Sequence, residues 1–218
     1  VTYIDDPSDG TAVLATDSAP NDYKQVKMTV REIPSNKDTY FITTVSPKGL
    51  ESGTGGSILS RALDTSGQPV AGATIRIQYP TTSPTISLDR ITDSNGYWLE
   101  VGLPVGVNAY RITASKAGMI GDQTYAASST NPNPTKPDVT VATGTLSQVT
   151  FTVDYEAGLT VRTLDSLCAA IDGVNVNISG SRLIGTSPNV YYYNTNSTSA
   201  GGGYVILSAL VGDTYYPT

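Results

Sequence analysis

Leu63-Asp64, followed by Val70-Ala71-Gly72-Ala73-Thr74-Ile75-Arg76-Ile77, returns as Leu164-Asp165, followed by Ile171-Asp172-Gly173-Val174-Asn175-Val176-Asn177-Ile178, at a constant offset of 165 − 64 = 101. Within each copy a turn of small and polar residues leads into strict apolar and polar alternation, the pattern of a strand with one buried face. Further on, Gly96-Tyr97, Leu103-Pro104-Val105-Gly106 and Tyr110 recur as Gly203-Tyr204, Leu210-Val211-Gly212 and Tyr216, at offsets of 106 or 107. The extra residues fall around Tyr191 to Gly202, where a surface loop tolerates insertion. Two copies of one β-sandwich module are therefore expected, the second stopping at the residue that matches Tyr110.

Period-two alternation continues outside the repeat, in Val26-Lys27-Met28-Thr29-Val30-Arg31, from Tyr110 to Ser115, and in Val149-Thr150-Phe151-Thr152-Val153-Asp154. Helical periodicity is nearly absent. Asp9-Gly10, Ser66-Gly67-Gln68-Pro69, Asp93-Ser94-Asn95-Gly96 and Asp172-Gly173 punctuate these runs as turns, with Gly accepting positive φ and Asx side chains closing the backbone. Short strands with frequent turns predict an all-β chain. The composition agrees, with 30 Thr, 22 Ser and 14 Tyr among 218 residues and only 15% charged.

Gly53-Thr54-Gly55-Gly56 has nothing to bury and is expected to be a linker. The chain then divides into residues 1–52, carrying about three strands near 1–4, 23–31 and 39–46; a sandwich over 53–156; and a truncated copy over 157–218. Three prolines in Thr130-Asn131-Pro132-Asn133-Pro134-Thr135-Lys136-Pro137 rule out a central strand and predict a stiff surface crossing of the first module.

Composition also narrows function. The formal net charge of −6 opposes nucleic-acid binding. With no His and a single Cys, the chain has no Ser-His-Asp triad, no Cys-His dyad and no His-ligated metal site. Four Glu, with Asp placed mostly at turns, offer no carboxylate pair for glycoside hydrolysis, so no catalytic residue is expected. Cys168, between Leu167 and Ala169, reads as a buried small hydrophobe. No run approaches the roughly 18 consecutive apolar residues of a membrane helix, so any membrane attachment would come through a segment outside this sequence.

Three groups remain as candidate sites. Asp5, Asp6 and Asp9, in a stretch of five acids without a base, offer hard oxygen ligands to Ca²⁺, although the spaced Asp pattern of an EF-hand loop is missing; an ordinary acidic loop is the alternative. Tyr191-Tyr192-Tyr193 in a Ser/Asn-rich loop offers a surface for a glycan or a host protein, with Tyr192 alternating away from its neighbours and at least one face expected in the core. Trp98, out of phase with Tyr97 and Leu99, reads as an exposed anchor or, preferably, a contact between domains.

Gly67-Gln68-Pro69-Val70-Ala71-Gly72-Ala73-Thr74-Ile75, then Thr92-Asp93-Ser94-Asn95-Gly96-Tyr97 and Leu103-Pro104-Val105-Gly106, resembles the carboxypeptidase regulatory-like family of prealbumin-like sandwiches, related to B-type repeats of bacterial surface adhesins. That resemblance implies stalk, spacer or accessory modules. Tyr3-Ile4-Asp5-Asp6-Pro7, the run from Asp22 to Val30 and Thr43-Thr44-Val45-Ser46-Pro47-Lys48-Gly49-Leu50-Glu51 are similar to the distal sheet of type IV pilin-like proteins. Together these resemblances imply an extracellular structural subunit of a pilus-like filament or cell-surface appendage, partnered by its own copies or other pilin subunits. A loop-based glycan- or protein-binding adhesin and an accessory domain of a secreted enzyme are the alternatives.

Two expectations follow from the repeat. Adhesin repeats of this kind carry a Lys-Asn isopeptide bond whose Lys lies on the first strand; residues 57–63 and 158–164 contain no Lys, so no such bond is expected. The second copy also lacks a counterpart to the strand from Leu146 to Val153. Either the polypeptide continues beyond Thr218, or a neighbouring subunit donates that strand.

Overall fold

The computed structural model describes residues 2–4, 23–32, 37–45 and 55–218. The described residues are all-β, with no helix. The first sheet is an antiparallel meander of β1 (Thr2–Ile4), β2 (Tyr23–Glu32) and β3 (Lys37–Val45), in the order β1-β2-β3. The register pairs Lys24 with Val45 and Glu32 with Lys37. Alternation sets Met28 opposite Phe41 on one face and Lys27 opposite Ile42 on the other, with all four side chains exposed.

The first copy of the repeat contributes β4 (Gly56–Leu63), β5 (Thr74–Tyr79), β6 (Ile86–Ile91), β7 (Tyr97–Leu103) and β8 (Gly106–Ser115). Short strands follow: β9 (Met119–Ile120), β10 (Asp122–Gln123) and β11 (Val139–Val141), then β12 (Leu146–Thr152) and β13 (Asp154–Tyr155). They form a sheet ordered β10-β8-β5-β6, with β11 also on β8, and a second sheet ordered β12-β4-β7. The inward residues of β5 and β8, Ile75, Ile77, Tyr110, Ile112 and Ala114, are shut off from solvent, as are Phe151 and Val153. At about 25 cal/mol per Å² of apolar surface removed from water, this burial supplies the main stabilising contribution. Burial also pushes the Tyr110 hydroxyl up to about 12, with Tyr79, 4.8 Å away between ring centroids, adding to the shift.

The second copy contributes β14 (Ala157–Arg162), β15 (Asn175–Gly180), β16 (Leu183–Gly185), β17 (Val190–Tyr191), β18 (Asn194–Thr198), β19 (Tyr204–Leu210) and β20 (Tyr215–Pro217). The order β18-β15-β20 repeats β6-β5-β8, and β14-β19 repeats β4-β7. Its core is small: Val176, Ile178 and Val205 are buried, and Leu159, Val161, Val174, Tyr193, Leu207 and Tyr215 pack around them partly covered. By contacts the chain separates into two compact units, one of Val1–Ser60, Leu99–Val107 and Thr140–Val149, the other of Arg61–Trp98, Asn108–Val139 and Thr150–Thr218.

The repeat extends to single hydrogen bonds. Asp64 Oδ1 accepts from the Ser66 and Gln68 amides, and Asp165 Oδ1 from those of Leu167 and Ala169. Arg61 lies 4.7 Å from the Tyr97 ring centroid, and Arg162 lies 5.2 Å from that of Tyr204. Gly96 and Gly203 both have φ +76, and a Cβ on either would stand 2.4 Å from a carbonyl oxygen, of Ala62 or Thr163. Glycine is dictated there twice by the same close approach.

Two expectations are corrected. Cys168 is exposed, because it occupies the turn position of Gly67 in the first copy; their φ angles are +64 and +78, and each amide donates to the Asp carbonyl three residues back. The apolar neighbours of Cys168 suggested a core that the turn geometry overrides. Gly56, read as linker, is buried and opens β4, where a Cβ would meet the Ala142 carbonyl oxygen at 2.2 Å. Small size here serves a close backbone approach rather than flexibility.

Candidate functional site

Asp122 opens the two-residue β10, which pairs with Ala114 and Thr113 of β8 at the sheet edge, and its side chain has no exposure. A carboxylate removed from water must be paired and hydrogen-bonded. Three segments meet that demand. Lys136, from the Pro-rich stretch, donates to Oδ2, and so does the Thr152 amide, at 3.1 Å. Arg182, just before β16 of the second copy, donates from Nη2 to Oδ1 at 2.6 Å. Lys136 Nζ also bonds the Thr150 carbonyl at 2.7 Å and lies 5.0 Å from the Phe151 ring centroid, while Arg182 stacks 4.6 Å from that of Tyr192. Burial, followed by the Asp122 charge, raises the pKa of nearby Tyr125.

Beside this node the Pro-rich stretch is bonded along its length to the second copy. The Thr135 amide donates to the Ile184 carbonyl at 3.0 Å and the Thr186 amide to that of Asn133 at 3.0 Å, with Pro134 bridging Gly185 in the antiparallel sense. Asn131 Nδ2 reaches Ile184 O, Asn133 Nδ2 reaches Thr186 O, and Thr135 Oγ1 reaches Leu183 O. Proline cannot donate, yet each intervening Asn or Thr supplies the missing polar contact. The stiff surface crossing expected within the first module is also a joint between the two repeats. A second ion pair backs it: Arg111 grips Asp138 through Nε at 2.7 Å and Nη2 at 3.0 Å, and Thr124 Oγ1 donates to the same carboxylate.

The residues singled out from the sequence lie elsewhere or serve this joint. Asp5, Asp6 and Asp9 fall outside the described residues. Among the described residues no three His, Cys, Asp or Glu side chains cluster as a metal site would require. The three tyrosines do not form one surface, because the strand ends at Tyr191 and alternation fails after it. Tyr191 is exposed, Tyr192 stacks on Arg182, and Tyr193 packs on the second core, edge-on to Tyr215 at 5.6 Å. Trp98 is half-buried on β7, with the Arg90 guanidinium 5.8 Å from its ring. Asp122, Lys136 and Arg182 carried no sequence signal beyond a Lys among prolines, since their partnership spans up to 60 residues.

No family model matches the chain, and no curated protein matches it. Among solved structures it is similar to the Bacillus anthracis TIE protein, at 10% identity over 90% of this chain and 40% of that one, TM-score 0.31. A double mutant of the shaft pilin SpaA from Lactobacillus rhamnosus GG gives 11% identity over 75% and 86%, TM-score 0.32. A streptococcal ancillary pilin gives 12% identity over 88% and 65%, TM-score 0.33. The chain thus spans 40% of the TIE protein's length. A likeness this slight assigns neither family nor function.

Proposed function

We propose that this chain is a structural part of an extracellular surface appendage, its two sandwich repeats acting as stalk or display modules and having no catalysis of their own. The observation that carries the reading is the joint. Asp122, Lys136 and Arg182, with the backbone bonds from Asn133 and Thr135, hold the second repeat to the first through buried charge and strand-like pairing. A hinge for substrate capture calls for few cross-contacts and a cleft between bodies; a spacer calls for the opposite. The three-stranded meander of β1 to β3 has the strand composition that the type IV pilin-like resemblance implies, and on this proposal it is the distal part of a filament head whose partners are further copies or other pilin subunits. Immunogold labelling of cells that make the protein, with antibodies raised against residues 157–218, is expected to decorate surface appendages. Label confined to the cell interior or to soluble secreted material would sink the proposal.

A further inference from the structure

β5 and β15 occupy the same place in the two copies, but their outward faces carry different chemistry. In the first copy Arg76 and Asp89 stand opposite each other on β5 and β6 and form an ion pair, Nε to Oδ1 at 2.7 Å and Nη2 to Oδ2 at 2.8 Å. Their counterparts on β15 and β18 are Asn177 and Asn196. In the neighbouring row Gln78, Ser87 and Arg111 give way to Ser179, Asn194 and Tyr216. Val176 and Ile178 are buried, so alternation turns Asn175, Asn177 and Ser179 outward, and Tyr216 is 54% exposed. None of the outward positions of β15 and β18 is ionisable. The full first copy leaves the same face uncovered, with the Arg76 and Asp89 side chains each 52% exposed.

Stability does not explain the exchange. Asn is depleted in strands, and a cross-strand ion pair or a pair of β-branched residues would support the ladder better. Yet four of the six outward positions on β15 and β18 are Asn, at 175, 177, 194 and 196. These side chains also order one another. Asn177 Nδ2 donates to Asn194 Oδ1 and to Asn196 Oδ1, each at 3.0 Å. Both carboxamides are thereby fixed, and their own Nδ2 groups have no bond among the described residues. Opposed residues lie about 5 Å apart and successive rows about 7 Å, so the amides form a flat lattice of donors and acceptors beside the Tyr216 ring.

We infer that the outward face of β15 and β18, with Tyr216, is a binding site for a neutral oligosaccharide. A sugar chain presents hydroxyls on its rims and apolar C–H groups on its ring faces, and a lattice of amides beside an exposed aromatic ring matches both. Charge decides against other ligands. An acidic polymer would leave its anionic groups without a cation here, whereas covering an ion pair like that of the first copy with an uncharged ligand would strip water from two charges. Amides lose far less when each finds a hydroxyl partner. A protein partner calls for an apolar centre to its interface, and among the described residues Tyr216 is the one large apolar side chain at these outward positions. The site is separate from the loop of Tyr191 to Tyr193, and it is independent of what the chain is anchored to.

Backbone NMR spectra of the full chain test the site, titrated to about 10 mM with cello-, manno-, malto- and chito-oligosaccharides of about six units, and with an oligogalacturonate of the same length as acidic control. At least one neutral probe is expected to shift the amide signals of residues 175–179, 194–198 and 215–216, and the acidic one to leave them in place. Tyr216→Ala is expected to weaken binding at least about tenfold, and Tyr216→Phe to keep it. The sharpest variant joins Asn177→Arg to Asn196→Asp, installing the ion pair that the same fold already carries at Arg76 and Asp89. It should keep the melting temperature and lose the sugar. Shifts by none of the neutral probes, shifts centred on other strands, or an equal response to the oligogalacturonate would each overturn the inference. So would undiminished binding by Tyr216→Ala or by the paired Asn177→Arg, Asn196→Asp protein.

Discussion

Arg182 donates to the buried carboxylate of Asp122 across 60 residues of sequence, from the second repeat to an edge strand of the first. Lys136 occupies the other oxygen of that carboxylate. The arrangement gathers two cations on one anion, and both cations remain about a quarter exposed, at 27% for Lys136 and 22% for Arg182, so water shares in balancing the surplus positive charge. Buried pairs of this kind add less to net stability than to geometry, because desolvation offsets much of the attraction. Their removal one partner at a time is costly.

Asp122→Ala is therefore expected to destabilise the chain by about 3 to 5 kcal/mol, since it leaves two inward-facing cations without a counter-charge. Arg182→Ala keeps Lys136 on the carboxylate and should cost less, about 1 to 2 kcal/mol. Urea unfolding of the two single variants and the double variant measures the coupling. If the costs simply add, the two residues are not joined energetically and the joint is held by the backbone bonds alone.

The strands and turns were legible because their signals are local. Alternation in residues 74–79 and 110–115 and the turns that follow Asp64 and Asp165 in the repeat each lie within about ten residues, and each became the expected element, the second strand starting four residues earlier, at Gly106. The repeat carried the reading further, since a glycine that is demanded twice at matched positions points to backbone geometry. The joint was not legible. Asp122 resembles any other polar residue beside a glycine until the chain brings Lys136 and Arg182 to it, and the prolines of residues 132–137 signal only what cannot form. Cys168 was misread because its apolar neighbours outweighed its alignment with Gly67, which the same 101-residue offset already contained.

Cys168→Gly should stabilise the chain by about 0.5 to 1 kcal/mol. A non-glycine residue with positive φ carries roughly 1 to 2 kcal/mol of strain, part of which returns as the greater freedom of glycine in the unfolded chain. Gly203→Ala should go the other way, by about 2 to 4 kcal/mol, because strain at φ +76 adds to a Cβ placed 2.4 Å from Thr163 O. Thermal melts of the two variants test this. A neutral Gly203→Ala would mean that the turn shifts freely.

Asp213 and Asp154 contribute to the acid limb of stability, beside Asp38 and Asp89, which Arg31 and Arg76 hold low at the surface. Burial pushes the Asp213 carboxyl up, but the Ser181 hydroxyl and the amides of Arg182, Thr214 and Ser181 together outweigh it, leaving the pKa below the ordinary carboxylate value. The Thr65 hydroxyl and amide, followed by the Tyr155 amide, hold Asp154 low as well, against slight desolvation. A depressed folded-state pKa contributes stability above the unfolded value, near 3.9, and loses it as pH falls through the folded value. Unfolding free energy should therefore decline below about pH 5, with a shallower decline in Asp213→Asn. An acid limb unchanged by that substitution would show that Asp213 gains nothing on folding.

The intact mass of the chain is expected to equal that of its sequence, with no side-chain cross-link. The first strands of both repeats, residues 57–63 and 158–164, contain no Lys, so the Lys-Asn geometry of adhesin repeats has no donor there. Lys136 does face a side-chain carbonyl carbon, that of Asp122, but Arg182 holds the other oxygen of the same group. Condensation to an amide would release one water and replace a buried anion with a neutral group, leaving Arg182 without its charge partner in a site that has no exposure on the Asp122 side. Mass spectrometry of the denatured protein distinguishes the cases: a deficit of one water that maps to a peptide joining Lys136 and Asp122 would show that the joint is covalent, and an undiminished mass that it is ionic.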